Sequence, residues 1–250
     1  MKMKQKKFLL IDNSNTRTKF LLSVDGAVEG TPDVIMTSDV SEKSVFNLLG
    51  TREYDGVVVS SVVPETRAVL GRCFDCPMHF INHSSAQKLN FDYPGVETLG
   101  ADRIANVMGA VSGGDVPAIV IDAGTAVTYD VVLEREGEPV YVGGAISPGL
   151  SVFTGYLHTK TALLPRVSCC SGAKAIGKNT VEAIQSGALF GFCGMVQGII
   201  RNISDELGVK PKIVLTGGDS LLLSKELDFE CFVEPLLGFK GMADVAKRFF

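Results

Sequence analysis

Two apolar tetrapeptides that each end in aspartate constrain this sequence more than any other feature. The first is Leu9-Leu10-Ile11-Asp12 and the second, 110 positions later, is Ile119-Val120-Ile121-Asp122. Each precedes a turn with a hydroxyl side chain and then a second run that predicts a strand. An offset of nearly half the chain indicates either two related domains or a coincidence of short motifs. We predict two halves, residues 1–115 and 116–250, divided within the polar stretch 112–117.

The composition limits the classes of partner. Hydrophobic residues make up 46% of the chain and charged residues 21%, as in folded globular proteins. The net charge of −4, from 24 basic and 28 acidic side chains, disfavours nucleic-acid binding. The basic N-terminus precedes only the four apolar residues 8–11, too few for a secretory signal, and we expect no membrane span. These features predict a cytoplasmic protein.

The six cysteines do not form the spacing of a disulfide framework or a zinc site. Cys73 and Cys76 form an isolated C-x-x-C pair, and Cys169 is adjacent to Cys170. Because no second pair or suitably spaced histidine accompanies them, we interpret these residues as buried or incidental thiols.

Three turns combine a preceding apolar strand with small or hydroxyl residues and an acid. Backbone N–H groups and hydroxyls in such turns can approach phosphate oxygens, and the carboxylates can hold a metal ion. Each turn alone is also consistent with ordinary turn chemistry, but three in order favour a nucleotide site. The three segments are Asp12-Asn13-Ser14-Asn15-Thr16, Asp122-Ala123-Gly124-Thr125 and Thr216-Gly217-Gly218-Asp219.

A helix is predicted to begin at Gly100-Ala101-Asp102-Arg103, because apolar residues then recur at helical spacing. Asp102 in the first turn is either an acid favoured by the helix dipole or a carboxylate that accepts a hydroxyl proton. Arg103 can bind a carboxylate through two parallel hydrogen bonds.

A second, longer helix is predicted to begin near Asn179, with Glu182 completing a capping pair. Four glycines at spacings of four, three and four share one face of this helix. They predict a tight helix–helix contact, either inside the domain or across a subunit boundary. The glycines are Gly187, Gly191, Gly194 and Gly198.

The ordered set of motifs resembles the type III pantothenate kinases. The likeness runs from about Phe8 to the C-terminus, and the set is specific although each motif alone is modest. Besides the turns above, it includes Ser60-Ser61-Val62-Val63-Pro64, Gly100-Ala101-Asp102-Arg103 with Asn106, Gly143-Gly144-Ala145-Ile146-Ser147-Pro148-Gly149 and Gly177-Lys178-Asn179-Thr180.

This resemblance implies an α/β fold of the acetate and sugar kinase/heat-shock/actin (ribonuclease H-like) type, in which two similar domains hold a nucleotide between them. It also implies ATP-dependent phosphorylation of the primary hydroxyl of pantothenate to 4'-phosphopantothenate, the first step of coenzyme A biosynthesis. Two alternatives remain: another small-molecule kinase of the superfamily, and a non-catalytic nucleotide-binding regulator.

The resemblance also implies roles for particular residues and partners. Asp102 corresponds to the proton-accepting acid, and Asp122 to the position that binds a monovalent cation, K⁺ or NH₄⁺, beside Mg²⁺ held with ATP. A homodimer is implied, with the substrate pocket near the subunit contact. The residues implied to bind pantothenate are Tyr93, Gly100, Ala101, Asp102, Arg103 and Thr180. Those implied to bind ATP are Asp12, Asn13, Ser14, Asn15, Thr16, Arg17, Thr18, Lys19 and Thr125.

Ser14 departs from the family pattern, which has glycine at this position. If the backbone here required a positive φ, serine would cost roughly 1 kcal/mol or more and would tilt the phosphate loop. The hydroxyl could instead add a phosphate contact. The substitution therefore bears on ATP affinity more than on the fold.

Overall fold

The computed structural model describes residues 5–168 and 171–250, which form two compact units. The first unit contains the chain up to Asp115 together with residues 134–141 and 236–250. The second contains residues 116–133 and 142–235. Residues 236–250, which the predicted division counts with the second half, therefore pack in the first unit.

Twelve strands and seven α-helices are described. The strands are β1 (Lys7–Asn13), β2 (Arg17–Val24), β3 (Ala27–Val28), β4 (Asp33–Met36), β5 (Gly56–Ser61), β6 (Met78–Phe80), β7 (Asn90–Phe91), β8 (Ala118–Ala123), β9 (Ala126–Arg135), β10 (Glu138–Pro148), β11 (Lys212–Thr216) and β12 (Cys231–Val233). The helices are α1 (Glu42–Leu49), α2 (Pro64–Leu70), α3 (Ala101–Ser112), α4 (Leu150–Lys160), α5 (Thr180–Leu207), α6 (Ser220–Glu226) and α7 (Leu237–Phe249).

The two units share one strand order. In the first unit the order is β3-β2-β1-β5-β6, with β4 also paired to β2. In the second it is β10-β9-β8-β11-β12, and β7 pairs with the beginning of β10 inside the first unit. In the first unit β1 runs antiparallel to β2 and parallel to β5. In the second unit β8 likewise runs antiparallel to β9 and parallel to β11. Parallel neighbours place their carboxyl ends, and the polar turns that follow, at the same edge of the sheet.

The first sheet is buried on both faces, because β1 and β5 are apolar runs of the kind that central strands require. Leu10, Ile11, Val57, Val58 and Val59 are fully buried. These strands therefore hold the polar residues at their ends on a rigid support.

Helices α3 and α7 approach each other to backbone contact in the first unit. A Cβ at Gly109 would lie 2.2 Å from the carbonyl oxygen of Leu237, and a Cβ at Gly241 would lie 2.0 Å from that of Ala105. Only glycine permits such an approach, so α7 fixes the position of α3 and of the residues at its N-terminus.

The start of α5 confirms the predicted capping pair. The side chain of Asn179 accepts a hydrogen bond from the Glu182 backbone N–H at 2.9 Å, and the Glu182 carboxylate accepts one from the Lys178 N–H at 2.7 Å. These bonds satisfy N–H groups that a helix N-terminus otherwise leaves unpaired.

The glycine face of α5 makes little contact within the described chain. A Cβ at Gly191 would lie 3.3 Å from the Phe153 ring of α4. At Gly187, Gly194 and Gly198 a Cβ would meet no described atom within 4 Å outside the helix's own backbone. The prediction of a close contact inside the domain is therefore wrong for these three glycines, and the alternative across a subunit boundary stays a prediction.

Helix α5 is an exception to the expectation that the chain has no segment of membrane-spanning length. By length and composition alone its 28 residues could cross a membrane. In its most apolar stretch of 18 residues, 44% of the residues are buried in the protein. Five buried residues of α5 pack in the hydrophobic core of the second unit, as in a core helix of a globular protein. They are Leu189, Phe192, Cys193, Val196 and Ile200. Ile184, Ser186 and Ala188 are also buried.

Four described cysteines are free thiols, namely Cys73, Cys76, Cys193 and Cys231. Burial raises the pKa of the Cys73, Cys76 and Cys231 thiols, which disfavours the reactive thiolate. This supports the interpretation of the C-x-x-C pair as structural, whereas Cys169 and Cys170 lie outside the described residues.

Candidate functional site

The first predicted phosphate turn is the tip of the β1–β2 hairpin. The antiparallel register places Asp12 opposite Lys19 and Asn13 opposite Thr18. The Lys19 ammonium donates to the Asp12 carboxylate at 3.0 Å, and both side chains are partly exposed. Asn15, Thr16 and Arg17 at the tip are exposed and accessible to a ligand, as is required for contact with phosphate.

The side chains of Asn13 and Thr18 point into the protein. Asn13 is 1% exposed and donates through Nδ2 to the Thr18 hydroxyl at 2.8 Å, while its Oδ1 accepts from Ser61 at 2.6 Å. The Thr18 hydroxyl in turn lies 3.1 Å from that of Thr37, which donates to the Ser14 carbonyl at 2.7 Å. Buried polar groups need such partners, and this network fixes the shape of the hairpin tip.

Ser14 is not strained. Among the described residues other than glycine, only Asp25 and Glu136 have a positive φ, so the condition under which serine would distort this loop is not met. The Ser14 N–H and hydroxyl both donate to the Arg17 carbonyl oxygen, at 3.1 and 3.0 Å. Ser14 therefore closes the hairpin turn.

The second predicted turn lies in the second unit, at the end of β8. The Thr125 carbonyl accepts from the Gly149 N–H at 3.2 Å, and a Cβ at Gly149 would lie 2.1 Å from the Gly124 carbonyl oxygen. Thr125 itself is exposed. Gly149, the last residue of the 143–149 motif, thus lets the chain between β10 and α4 approach the 122–125 turn closely.

Oxygen atoms converge beside Gly217, which follows β11 with a φ of +88°. A Cβ at this glycine would lie 2.4 Å from Asp122 Oδ1 and 2.5 Å from the Ala123 carbonyl oxygen. The Asp219 N–H donates to the same carbonyl at 3.0 Å, and burial raises the pKa of the half-buried Asp219 carboxyl. The third turn therefore packs directly on the last two residues of β8.

These atoms fit a hard cation better than a transition metal. Across residues 5–168 and 171–250 there is no group of three or more His, Cys, Asp or Glu side chains placed to hold a metal. A cation beside Asp122 would therefore combine a carboxylate with backbone carbonyl oxygens, the donors that alkali and alkaline-earth ions accept.

Asp102 lies in the first turn of α3, as predicted, and is partly buried. Its Oδ1 accepts the backbone N–H of Arg103 at 2.8 Å. A Cβ at Gly100, the N-cap residue, would lie only 2.5 Å from that oxygen, so the glycine leaves room for the carboxylate. The helix N-terminus stabilises the ionised form that a proton acceptor needs.

The predicted site residues Arg103 and Tyr93 both contact Tyr141 in the first unit. Arg103 Nη2 donates to the hydroxyl of Tyr141 at 2.9 Å. The Tyr93 ring meets the Tyr141 ring edge-on, with centroids 5.5 Å apart at 83°. A Cβ at Gly95 would lie 3.6 Å from the Tyr93 ring. The structure therefore brings Tyr93 and Arg103 together through a third residue.

Thr180 is the exposed first residue of α5 and belongs to the second unit. Tyr141 is the site residue that the sequence analysis missed. It stands two positions before the Gly143-Gly144 pair, as the single tyrosine of β10, and looks like an ordinary core residue in the sequence. Its burial and its contact with Arg103 are visible only in the structure, so no local sequence pattern indicates its place at the site.

Relatives of known name match nearly the whole chain. The family model "Type III pantothenate kinase" matches residues 8–202. A type III pantothenate kinase of Akkermansia muciniphila is 40% identical over 94% of this chain and 96% of its own length. Another, of Brevibacillus brevis, is 37% identical over 82% of each chain.

Solved structures match the fold at low identity. Component A of the (R)-2-hydroxyglutaryl-CoA dehydratase of Acidaminococcus fermentans aligns with a TM-score of 0.55 and 13% identity, over 96% of each chain. A glucokinase from an Antarctic psychrotroph aligns with a TM-score of 0.52 and 10% identity, over 97% of this chain and 99% of its own. These matches confirm the predicted fold class. The family model and the relatives together show that the chain belongs to the type III pantothenate kinase family.

Proposed function

We propose that this chain transfers the γ-phosphoryl group of ATP to the primary hydroxyl of pantothenate, which gives 4'-phosphopantothenate in the first step of coenzyme A biosynthesis. The observation that carries the proposal is the arrangement at the N-terminus of α3. There a carboxylate on Asp102 and a guanidinium on Arg103 occupy one helical turn, beside the aromatic pair Tyr93 and Tyr141. The family of the chain supports the choice of pantothenate.

Asp102 is the proton acceptor in this proposal. Phosphoryl transfer passes through a loose transition state, so a base that orients the alcohol and accepts its proton late is sufficient. Asp102 meets this need because Gly100 leaves space beside its Oδ1 and the Arg103 N–H holds that oxygen in place. Positioning, more than strong basicity, is what the carboxylate contributes.

Arg103 binds the carboxylate of pantothenate in this proposal, since its planar guanidinium offers paired donors. Tyr93, Gly100 and Ala101 line the same region of the first unit. Thr180 supplies a hydroxyl from the start of α5, where the dipole of the helix N-terminus also favours an anionic ligand.

The ATP phosphates bind at the hairpin tip through backbone N–H groups and the exposed side chains of residues 15–17, while Ser14 closes the turn. Lys19, paired with Asp12, adds positive charge at the base of the tip. The side chains of Asn13 and Thr18 act by holding the tip rigid, since both are buried. Thr125 contributes a second hydroxyl from the turn after β8.

The proposal includes two kinds of cation. Mg²⁺ arrives with the ATP phosphates, and a monovalent cation, K⁺ or NH₄⁺, binds at Asp122 with backbone carbonyl oxygens. When bound, these ions supply positive charge that offsets the phosphate charge. The convergence of the Asp122 carboxylate and the Ala123 carbonyl near Gly217 supports this position.

The functional form is a cytoplasmic homodimer in this proposal. Large apolar side chains are exposed on α4, on the segment after it and on the first half of α5, next to the glycine face. A second copy of the chain would cover this surface. The net charge of −4 disfavours binding to nucleic acid. The core residues of α5 support a soluble protein.

The test is turnover by the purified protein with ATP, Mg²⁺ and pantothenate, followed as ADP release with and without K⁺. We expect pantothenate-dependent turnover that rises with K⁺ and falls roughly 10²–10⁴-fold in Asp102→Asn, because removing a positioned base costs about that much. ATP binding should survive in this variant. Glu97→Gln, which removes an exposed acid shortly before α3, is the matched control and should keep wild-type turnover.

Two outcomes would redirect the assignment. Turnover with another alcohol but not with pantothenate would assign the chain to a different small-molecule kinase. ATP binding without turnover on any acceptor would favour a regulatory, non-catalytic role.

A further inference from the structure

Tyr141 is a buried polar side chain to which the activity above assigns no role. Its ring is 0% exposed, and its hydroxyl accepts a hydrogen bond from Arg103 Nη2 at 2.9 Å. A fully buried phenol needs a polar partner, and here the partner is a charged guanidinium. Hydrogen bonds to charged groups are stronger than those between neutral groups.

The tyrosine is held rigidly from its backbone outward. Tyr141 lies opposite Phe91 in the parallel β10–β7 ladder, and its carbonyl accepts the Asp92 N–H at 2.9 Å. The Asp92 carboxylate in turn pairs with Arg135 at 2.6 Å, which ties the segment after β7 to the end of β9. The backbone that carries the phenol is therefore fixed by several contacts within the first unit.

The ring is also fixed by its neighbours. Tyr93 meets it edge-on at 5.5 Å, and Phe91 contacts it at a tilt, with centroids 5.9 Å apart. Edge-to-face and tilted arrangements are the favoured geometries for aromatic pairs. The hydroxyl thus occupies one defined position relative to Arg103.

We infer that Tyr141 is a positioning residue for Arg103, which holds the guanidinium ready for the substrate carboxylate. The inference rests on the proposed function, in which Arg103 binds that carboxylate. A free arginine side chain has a large rotamer entropy, which must be lost when a ligand is bound. A phenol that already restrains the guanidinium reduces this loss, so Tyr141 raises the affinity for carboxylate-bearing substrates without touching them.

The decisive variant is Tyr141→Phe, which removes one oxygen and keeps the ring. We expect the Kd for pantothenate, measured by calorimetry, to rise about three- to tenfold, the range expected when one more rotamer-rich side chain must be immobilised on binding. The Kd for the neutral primary amide of pantothenic acid should stay unchanged, because that ligand lacks the charge that Arg103 binds. Loss of ring packing would weaken both ligands equally, and that result would overturn the inference.

Tyr129→Phe is the matched control. Tyr129 is also 0% exposed, and its hydroxyl lies 3.2 Å from that of Ser147 in the second unit. It loses one buried hydroxyl in the same way, but the Kd for pantothenate should not change. A double variant of Tyr141→Phe with Arg103→Gln should bind pantothenate no more weakly than Arg103→Gln alone.

A measurement without substrate separates this inference from the proposed function. In ¹⁵N NMR of the free wild-type protein, the Arg103 Nη signals should be resolved and slowly exchanging, and they should broaden or average in Tyr141→Phe. If the wild type neither binds nor phosphorylates pantothenate, the proposed function fails. The Arg103 Nη signals of the two proteins would still show whether Tyr141 restrains the guanidinium. Identical Arg103 signals in the two proteins would overturn the inference. This holds even if Tyr141→Phe lowers the stability, because the signals are read from the folded protein.

Discussion

The side chains of the first turn divide into two groups that the sequence alone could not separate. Residues 12–19 all resemble phosphate-binding positions, yet Asn13 and Thr18 are buried in a network with Thr37 and Ser61. An alternating strand places every second residue on the opposite face, so half of such a segment points away from any ligand. The partners of these residues lie 19 and 48 positions away, and no local pattern indicates them.

Ser14→Gly tests whether serine impairs the turn. Because Ser14 has no positive φ and donates its hydroxyl to the Arg17 carbonyl, glycine should not improve the KM for ATP. It should instead lower the free energy of unfolding by about 0.5–1.5 kcal/mol, through loss of one hydrogen bond and greater chain entropy. Steady-state kinetics and chemical denaturation measure the two effects.

The control is Ser84→Gly, at an exposed turn serine whose hydroxyl makes a comparable local bond to Asn82 at 2.6 Å. It should lower stability similarly and leave the KM for ATP unchanged. A severalfold fall in the KM for ATP with Ser14→Gly would instead mean that the loop needs glycine.

At the level of elements, strands and helix starts could be predicted because their signals are local. Helix α3 begins within the predicted segment Gly100–Arg103, and α5 begins at the predicted cap of Asn179 and Glu182. The contact between α3 and α7 could not be predicted, since Gly109 and Leu237 are more than 100 residues apart. A glycine inside a helix indicates a close approach, but not which element approaches it.

Gly241→Ala tests whether the α3–α7 contact supports the proposed catalytic site. The added methyl would lie 2.0 Å from the Ala105 carbonyl oxygen, so the helices must separate. Overpacking should outweigh the gain of about 1 kcal/mol in helix propensity, and we expect a net loss of about 1–3 kcal/mol in the free energy of unfolding. Because α3 carries Asp102, kcat should also fall under conditions where the variant remains folded.

Gly155→Ala in α4 is the opposite case, since a Cβ there meets no described atom within 4 Å outside the helix backbone. That variant should be as stable as the wild type or up to about 1 kcal/mol more stable, because only helix propensity changes. Denaturant titration compares the two. Equal stability of both variants would show that α3 and α7 are not in close contact.

At the level of the whole molecule, exposed apolar surface is unevenly distributed. Single exposed apolar residues are ordinary, but a concentration on neighbouring elements marks an interaction surface. In the second unit such residues follow one another on α4, on the segment after it and on α5, beside glycines that leave the helix backbone accessible. They are Val152, Tyr156, Leu157, Leu163, Ile176, Val181 and Phe190.

Gly194→Leu tests whether this surface joins two copies of the chain. Within one chain the leucine meets no obstacle, and helix propensity should stabilise α5 by up to about 1 kcal/mol. Across a close helix–helix contact the same side chain would keep the two backbones apart. The wild type should therefore sediment with the mass of two chains and Gly194→Leu with the mass of one, while thermal stability of the separate chain is kept.

Lys43→Leu is the control, because it adds a leucine to an exposed position of α1 in the first unit, which contains none of the four glycines. It should sediment as the wild type does. Since Thr180 lies on α5, two turns before Gly187, separation of the copies should also weaken pantothenate binding if the pocket is near the subunit contact. A Gly194→Leu protein that keeps the mass of two chains would place the contact on another surface, whereas a wild type with the mass of one chain would remove the dimer from the proposal.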